Sequence, residues 1–109
     1  MFTVEATDAF TAWLDALADE RAAARIAIRI ERLRAGLVGD AKAVGGGVRE
    51  LRIDYGPGYR VYFTRTGATI QLLLCGGDKR TQPRDIARAQ AMAAELGPGT
   101  NDDTDERTS

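Results

Sequence analysis

Eight basic residues fall between Arg49 and Arg88: Arg49, Arg52, Arg60, Arg65, Lys79, Arg80, Arg84 and Arg88. Only four acids share that span, Glu50, Asp54, Asp78 and Asp85, so it carries an excess of +4 within a 109-residue chain of formal net charge −1. Screening confines charge effects to roughly 8–10 Å at physiological salt, so a local basic surface attracts a polyanion whatever the total charge. Alternate residues of a strand share a face. Arg52 therefore lies opposite Leu51 and Ile53, while Arg60 and Tyr62 lie opposite Val61 and Phe63. Lys79 and Arg80 follow the next apolar run directly, and a sharp exit at Gly76-Gly77-Asp78 would aim them back over the sheet. Three strands then converge cations on one concavity. Guanidinium groups bind phosphate bidentately and stabilise the added negative charge of a phosphorane-like transition state without a metal. Tyr55, Tyr59 or Tyr62 can stack on a base of a single-stranded substrate. The competing reading makes the cations surface partners of Glu50, Asp54 and Asp78 and the tyrosines sheet packing.

Other chemistries find little footing. The chain has no histidine and one cysteine, so the usual zinc sites, Ser-His-Asp triads and Cys-His dyads are absent. Gly45-Gly46-Gly47 precedes a strand and no Lys-Ser or Lys-Thr follows it, which favours a glycine-rich hairpin connection over a phosphate loop. The carboxylate pairs Asp19/Glu20 and Glu50/Asp54 lie among arginines, where solvated or ion-paired roles outweigh general acid–base work. Nothing near Cys75 lowers its pKa, so it reads as a small buried apolar residue. Arg21, Arg25, Arg29 and Arg32 read as the solvated side of an amphipathic helix.

The elements that must position the arginines are legible from period. Phe2 to Glu5 is a short β-prone segment, and Thr7 offers an N-cap hydroxyl, with Asp8 in the first turn behind it. Phe10, Trp13, Leu14 and Leu17 then recur at helical spacing, and Trp13 reads as core. A second helix is predicted from near Asp19 to about Ala35, with Ile26, Ile30, Leu33 and Leu37 on one side and Gly36 as its stop. The two form an αα-hairpin that needs a sheet to cover. Ala41 to Gly47 reads as loop, after which the period becomes two. Val48 to Tyr55 is expected to be a half-buried strand, with Glu50, Arg52 and Asp54 on its solvent side. Gly56-Pro57-Gly58 turns the chain into a strand around Tyr59 to Thr64. Thr69 to Cys75, almost wholly apolar, is expected to be central and covered on both faces. Pro83 suits N1 of a last helix docking through Ile86, Ala89, Gln90, Ala93 and Leu96. The expected class is α+β: an N-terminal strand and an αα-hairpin packed on an antiparallel sheet, in the order β-α-α-β-β-β-α.

One domain is expected over residues 1–96. The remaining GPGTNDDTDERTS, four acids against one base, is expected to be a disordered tail over residues 97–109. The start MFTVEATDAF has neither a basic n-region nor an apolar h-region, and no stretch is apolar enough to span a membrane. With a single cysteine this makes the cytoplasm the expected compartment.

Three segments in register carry a resemblance. Gly47 to Arg52 (GVRELR), Gly58 to Phe63 (GYRVYF) and Leu72 to Thr81 (LLLCGGDKRT), followed by Asp85-Ile86 and Ala89, resemble RelE/ParE-superfamily toxins, and among them the HigB-like addiction-module killer proteins. The likeness runs from residue 2 to about 96. It implies a RelE-like fold and a toxin that inhibits translation by cleaving messenger RNA on the ribosome. It also implies a cognate antitoxin, a helix-turn-helix protein encoded alongside. In that chemistry the RNA's own 2′-hydroxyl attacks the adjacent phosphate, with no cofactor and no metal. By this resemblance Arg60 binds the scissile phosphate. Arg52 holds the position of a basic residue that is lysine in some relatives and better suited there to proton abstraction. Of the pair Lys79 and Arg80, Arg80 stabilises the transition state or leaving group. Arg49, Tyr62 and Lys79 would complete the RNA-binding surface. One departure stands out: several RelE-type nucleases carry a catalytic tyrosine shortly after the last basic pair, and Thr81 to Arg88 has none, with Ile86 near that place. Tyr62 takes over part of that role, another residue does, or this member is not a nuclease. The alternatives are a ParE-like inhibitor of DNA gyrase acting by binding alone, and a non-toxic binding module.

Overall fold

The computed structural model describes residues 1–96, so the expected acidic tail lies outside the described residues. The elements run β1 (Thr3–Ala6), α1 (Asp8–Asp15), α2 (Glu20–Arg34), β2 (Ala41–Gly45), β3 (Val48–Ile53), β4 (Tyr59–Thr66) and β5 (Ile70–Asp78). A 3-10 turn (Lys79–Thr81) leads into α3 (Gln82–Glu95). The five strands form one sheet in the order β1-β5-β4-β3-β2. β2 to β5 pair antiparallel, and β1 pairs parallel to β5. The class is α+β, as expected, but the sheet is mixed where an antiparallel one was expected. No helix among the described residues is long and apolar enough to cross a membrane.

The helix ends follow the cap chemistry. The Thr7 hydroxyl accepts from the Phe10 N–H at 3.1 Å and donates to the Leu74 carbonyl at 2.6 Å, so one side chain starts α1 and ties it to β5. Asp19 accepts from the Arg21 and Ala22 N–H groups to start α2. Gly36, at φ +88°, ends it in the left-handed conformation that glycine adopts without a Cβ penalty. Leu37 then lies outside the helix and 63% exposed, not on its apolar side as expected.

Helices cover both faces of the sheet. On one, Phe10, Ile26, Ile30 and Leu33 of α1 and α2 pack on Leu51, Ile53, Val61, Phe63 and Leu73. On the other, Ala89 and Ala93 of α3 pack on Val48, Tyr62, Leu74 and Cys75. The predicted solvent side of β3 is therefore half covered: Glu50 is fully buried under α3, while Arg52 and Asp54, further along, remain accessible.

Two expectations of loop structure are corrected. Ala41–Gly45 is an edge strand paired with β3, its small side chains giving no apolar alternation by which to see it. Gly45-Gly46-Gly47, all at positive φ, close that hairpin. A Cβ at Gly45 or Gly46 would stand 3.1–3.2 Å from the Gln90 side chain, whose amide donates to the Val44 carbonyl. Gly76 and Gly77 do not form a sharp exit either. β5 runs on through Asp78, and the two glycines admit close neighbours from opposite faces. A Cβ at Gly76 would fall 2.3 Å from the Trp13 ring, and one at Gly77 would collide with the Asp85 carboxylate of α3.

Candidate functional site

At the end of the β3–β4 hairpin the residues Asp40, Arg52, Asp54, Gly56-Pro57-Gly58, Arg60 and Lys79 line a polar cavity of about 400 Å³. Register builds it: Arg52 pairs with Arg60 across β3 and β4, and Arg60 pairs with Gly77 across β4 and β5. The Gly56-Pro57-Gly58 turn forms one wall. At Gly58, φ +83°, a Cβ would stand 3.4 Å from the Arg60 guanidinium and 3.5 Å from Lys79, so the turn lies close against both cations.

The two arginines are held differently. Arg52 is an accessible partner of Asp40: its Nη2 and Nε donate to one carboxylate oxygen at 2.8 and 3.1 Å. These bonds hold the Asp40 carboxyl below its usual range and raise the guanidinium's own pKa. The backbone repeats the link, with the Arg52 N–H donating to the Asp40 carbonyl. Arg29 of α2 donates to the carbonyls of Arg52, Val38 and Asp40, tying that corner to the helical layer.

Arg60 is nine-tenths buried and still lines the cavity. Its Nη1 donates to the Gly58 and Tyr59 carbonyls at 3.2 Å, and its Nε stands 3.8 Å from Glu50 Oε1, both atoms being buried without a hydrogen bond. The other Glu50 oxygen accepts from the Tyr62 hydroxyl at 2.9 Å and the Gln82 amide at 2.7 Å. Burial, then the bond to Glu50, pushes the Tyr62 hydroxyl well above the ordinary tyrosine value.

Of the six residues singled out from sequence, three meet here: Arg52, Arg60 and Lys79. Arg80 lies next to the cavity in sequence but does not line it. Its side chain is 80% exposed and pairs with Asp78 at 3.1 Å, and that bond is the main cause lowering the Asp78 carboxyl. Arg49 projects from the opposite face, its guanidinium 5.9 Å from the Phe63 ring. Tyr62 is fully buried, which removes it as a platform for a base. The other tyrosines are also engaged: Tyr55 donates to Asp19 beneath Arg25, and Tyr59 meets Trp13 edge-on. Among the described residues no group of three or more His, Cys, Asp or Glu side chains is placed to hold a metal ion.

Sequence reasoning missed Asp40 and placed Glu50 only as a surface partner of the cations, where it is a buried one. Its neighbours were within reach of that reasoning, since strand parity puts Glu50 on the face of Arg52, Arg60 and Tyr62, and register pairs it directly with Tyr62. Asp40 stands before a strand that the sequence hides.

No family model matches the chain. An uncharacterized protein of Haemophilus influenzae is 49% identical over 94 residues, which cover 86% of this chain and 95% of that protein. The chain belongs to the same family as this Haemophilus influenzae protein. Identity this high over nearly the whole relative makes the fold common to the two.

In this arrangement the cavity offers three cations and two carboxylates at a rim open to solvent. A dianion or phosphodiester entering it would displace the weak, solvent-exposed Arg52–Asp40 pair more easily than the buried Arg60 contacts. Arg60 Nη2, without a hydrogen bond among the described residues, remains as a donor for such a ligand.

Proposed function

We propose that the chain is the toxin of a type II toxin–antitoxin pair, of the RelE/ParE kind and the HigB-like branch, and that it cuts messenger RNA on the ribosome. The observation that carries this reading is Arg60, nearly buried yet lining a polar cavity beside Arg52 and Lys79. A buried, pre-oriented guanidinium is worth far more to a developing charge than a solvated one, because little reorganisation accompanies the reaction. Two helices on one sheet face and one on the other fit a RelE-like architecture, with an edge strand added. In the reaction the 2′-hydroxyl passes its proton to solvent water, its oxygen bonds to phosphorus, and the bond to the 5′-oxygen breaks. The products are a 2′,3′-cyclic phosphate and, once water returns a proton to the leaving oxygen, a 5′-hydroxyl. Arg60 neutralises the phosphate, and Arg52 and Lys79 flank it. Arg80, freed from Asp78, serves the leaving oxygen.

Toeprinting on translating ribosomes tests this. Wild type is expected to produce new 3′ ends, Arg60→Ala to leave the message whole, and Lys79→Ala to cut more slowly. Message left intact by the wild type would sink the reading.

The aromatic inventory favours a second reading. Every tyrosine is engaged in packing or a side-chain hydrogen bond, and Thr81 to Arg88 holds none. A ParE-like inhibitor of DNA gyrase, acting by binding alone, needs no such proton donor. A supercoiling assay separates the two, because gyrase poisoning accumulates cleaved DNA with the message intact.

The proposed partner is an antitoxin encoded alongside, a helix-turn-helix protein with an acidic segment. The outer face of α2 offers that segment an apolar depression of about 370 Å³ at Ala27, Ile28, Ala35 and Leu37, lined also by Glu31 and Arg32.

A further inference from the structure

Glu50 is the best-enclosed charged side chain among the described residues and takes no part in the proposed reaction. It is 0% exposed and does not line the cavity, so it cannot touch a ligand there. An ionised carboxylate taken out of water is costly unless its oxygens are bonded and its charge is matched. One oxygen is fully served, by Tyr62 on β4 and by Gln82, the first residue of α3. The other has no hydrogen bond, and the atom facing it is Arg60 Nε, itself buried and unbonded, at 3.8 Å. Register explains the meeting: Glu50 pairs with Tyr62 and Arg52 with Arg60, so Glu50 and Arg60 are diagonal neighbours on one face.

We infer that Glu50 is a positioning residue for Arg60, a counter-charge clamped by Tyr62 and Gln82 that keeps the guanidinium folded into the cavity wall with Nη2 turned to the ligand. The inference deepens the nuclease reading and rests on it for its functional consequence, though not for its geometry. Without the carboxylate, Arg60 keeps only the Gly58 and Tyr59 carbonyls, both within two residues of it in the chain and both on Nη1. Those two contacts do not fix the plane of the guanidinium. A bidentate phosphate contact depends on that plane.

Glu50→Gln is the discriminating variant. Its amide oxygen can still accept from Tyr62 and Gln82, while its NH2 faces Arg60 Nε donor to donor. The direct readout is the Arg60 Nε–H resonance in a nitrogen–proton correlation spectrum of the full chain, assigned by its loss in Arg60→Lys. In wild type it is expected to be dispersed and slow to exchange. In Glu50→Gln it is expected to move and exchange quickly while the backbone spectrum stays folded. On ribosomes the variant is expected to cut about 100-fold more slowly at saturation, the order of loss for a misplaced catalytic group, with half-saturation unchanged. If Glu50→Gln does not fold, Gln82→Ala, which loosens the clamp and keeps the charge, should move the same resonance. An Arg60 resonance with wild-type position and exchange in a folded Glu50→Gln protein overturns the inference, as does one unmoved in Gln82→Ala where Glu50→Gln does not fold. If wild type leaves message whole but the resonance moves in the variant, the nuclease reading fails and the positioning role stands.

Discussion

Arg52 and Arg60 share a strand pair and a face, yet their surroundings assign them unequal tasks. Arg52 is partly exposed beside an exposed Asp40, and such pairs contribute little to stability. Asp40→Asn should therefore leave the melting temperature nearly unchanged while adding one unit of positive charge to the cavity. RNA binding should tighten, with a salt dependence steeper by about 0.7 in log–log slope, the single-strand value per phosphate contact. Filter binding of a short single-stranded RNA over a salt series measures it, and an unchanged slope would show that Arg52 was never available to a phosphate. Tyr62 carries a prediction of the opposite kind. Its hydroxyl has a pKa of 10.0 in the unfolded chain and a higher one when folded, so the unfolded chain is the first to release the proton. The stability it contributes is complete below pH 10 and declines as pH rises beyond it toward the folded value. Melting temperature followed into alkali should fall, tyrosinate absorbance from Tyr62 should appear only with unfolding, and Tyr62→Phe should flatten the decline.

At the scale of elements, the close approaches to β5 set the packing. A Cβ at Gly76 would enter the Trp13 ring, so Gly76→Ala should destabilise by about 1–3 kcal/mol as overpacking does. Trp13→Ala should relieve most of that clash, and a double-mutant cycle by chemical denaturation measures the coupling; strictly additive losses would place the strain elsewhere. Thr7→Ala removes both the α1 cap and the tie to Leu74, with an expected loss of about 1–2 kcal/mol. The same elements mark what the sequence could disclose. Helix ends were legible to within a residue at Asp19 and Ala35, because caps are written in local residue types. β2 was not, since Ala41 and Ala43 are too small to show a period and the strand exists through its pairing with β3. The mixed sheet was hidden for a similar reason: the β1–β5 register joins residues nearly seventy apart, and no local signal carries that pairing. Strand parity found Arg52 and Arg60. It misjudged Glu50 and Tyr62, because parity gives the face and only α3 decides that the face is covered.

At the scale of the whole molecule, the charged cavity and the apolar depression of α2 share no lining residue, and an arginine-rich cleft connects them. Arg25, Ile28, Arg29 and Arg32 share a smaller cleft with Ile53 and Asp54, and Asp54 also lines the candidate site. Ile28 and Leu37 are 51% and 63% exposed, while the Arg29 head group is committed to backbone carbonyls. Apolar side chains left in the open beside arginines suit a partner with an acidic, amphipathic segment, and their contribution to the fold is small. Ile28→Asp together with Leu37→Asp should therefore leave stability within about 0.5 kcal/mol of wild type, as for surface changes away from caps and cores. On the proposed toxin reading, the double variant should still arrest growth in cells, and co-expression of the proposed antitoxin gene should no longer rescue it. Growth curves with and without that gene read both effects at once. Rescue at the wild-type level would remove α2 as the docking face, and loss of arrest by a double variant that still folds would mean that this surface serves the arrest itself.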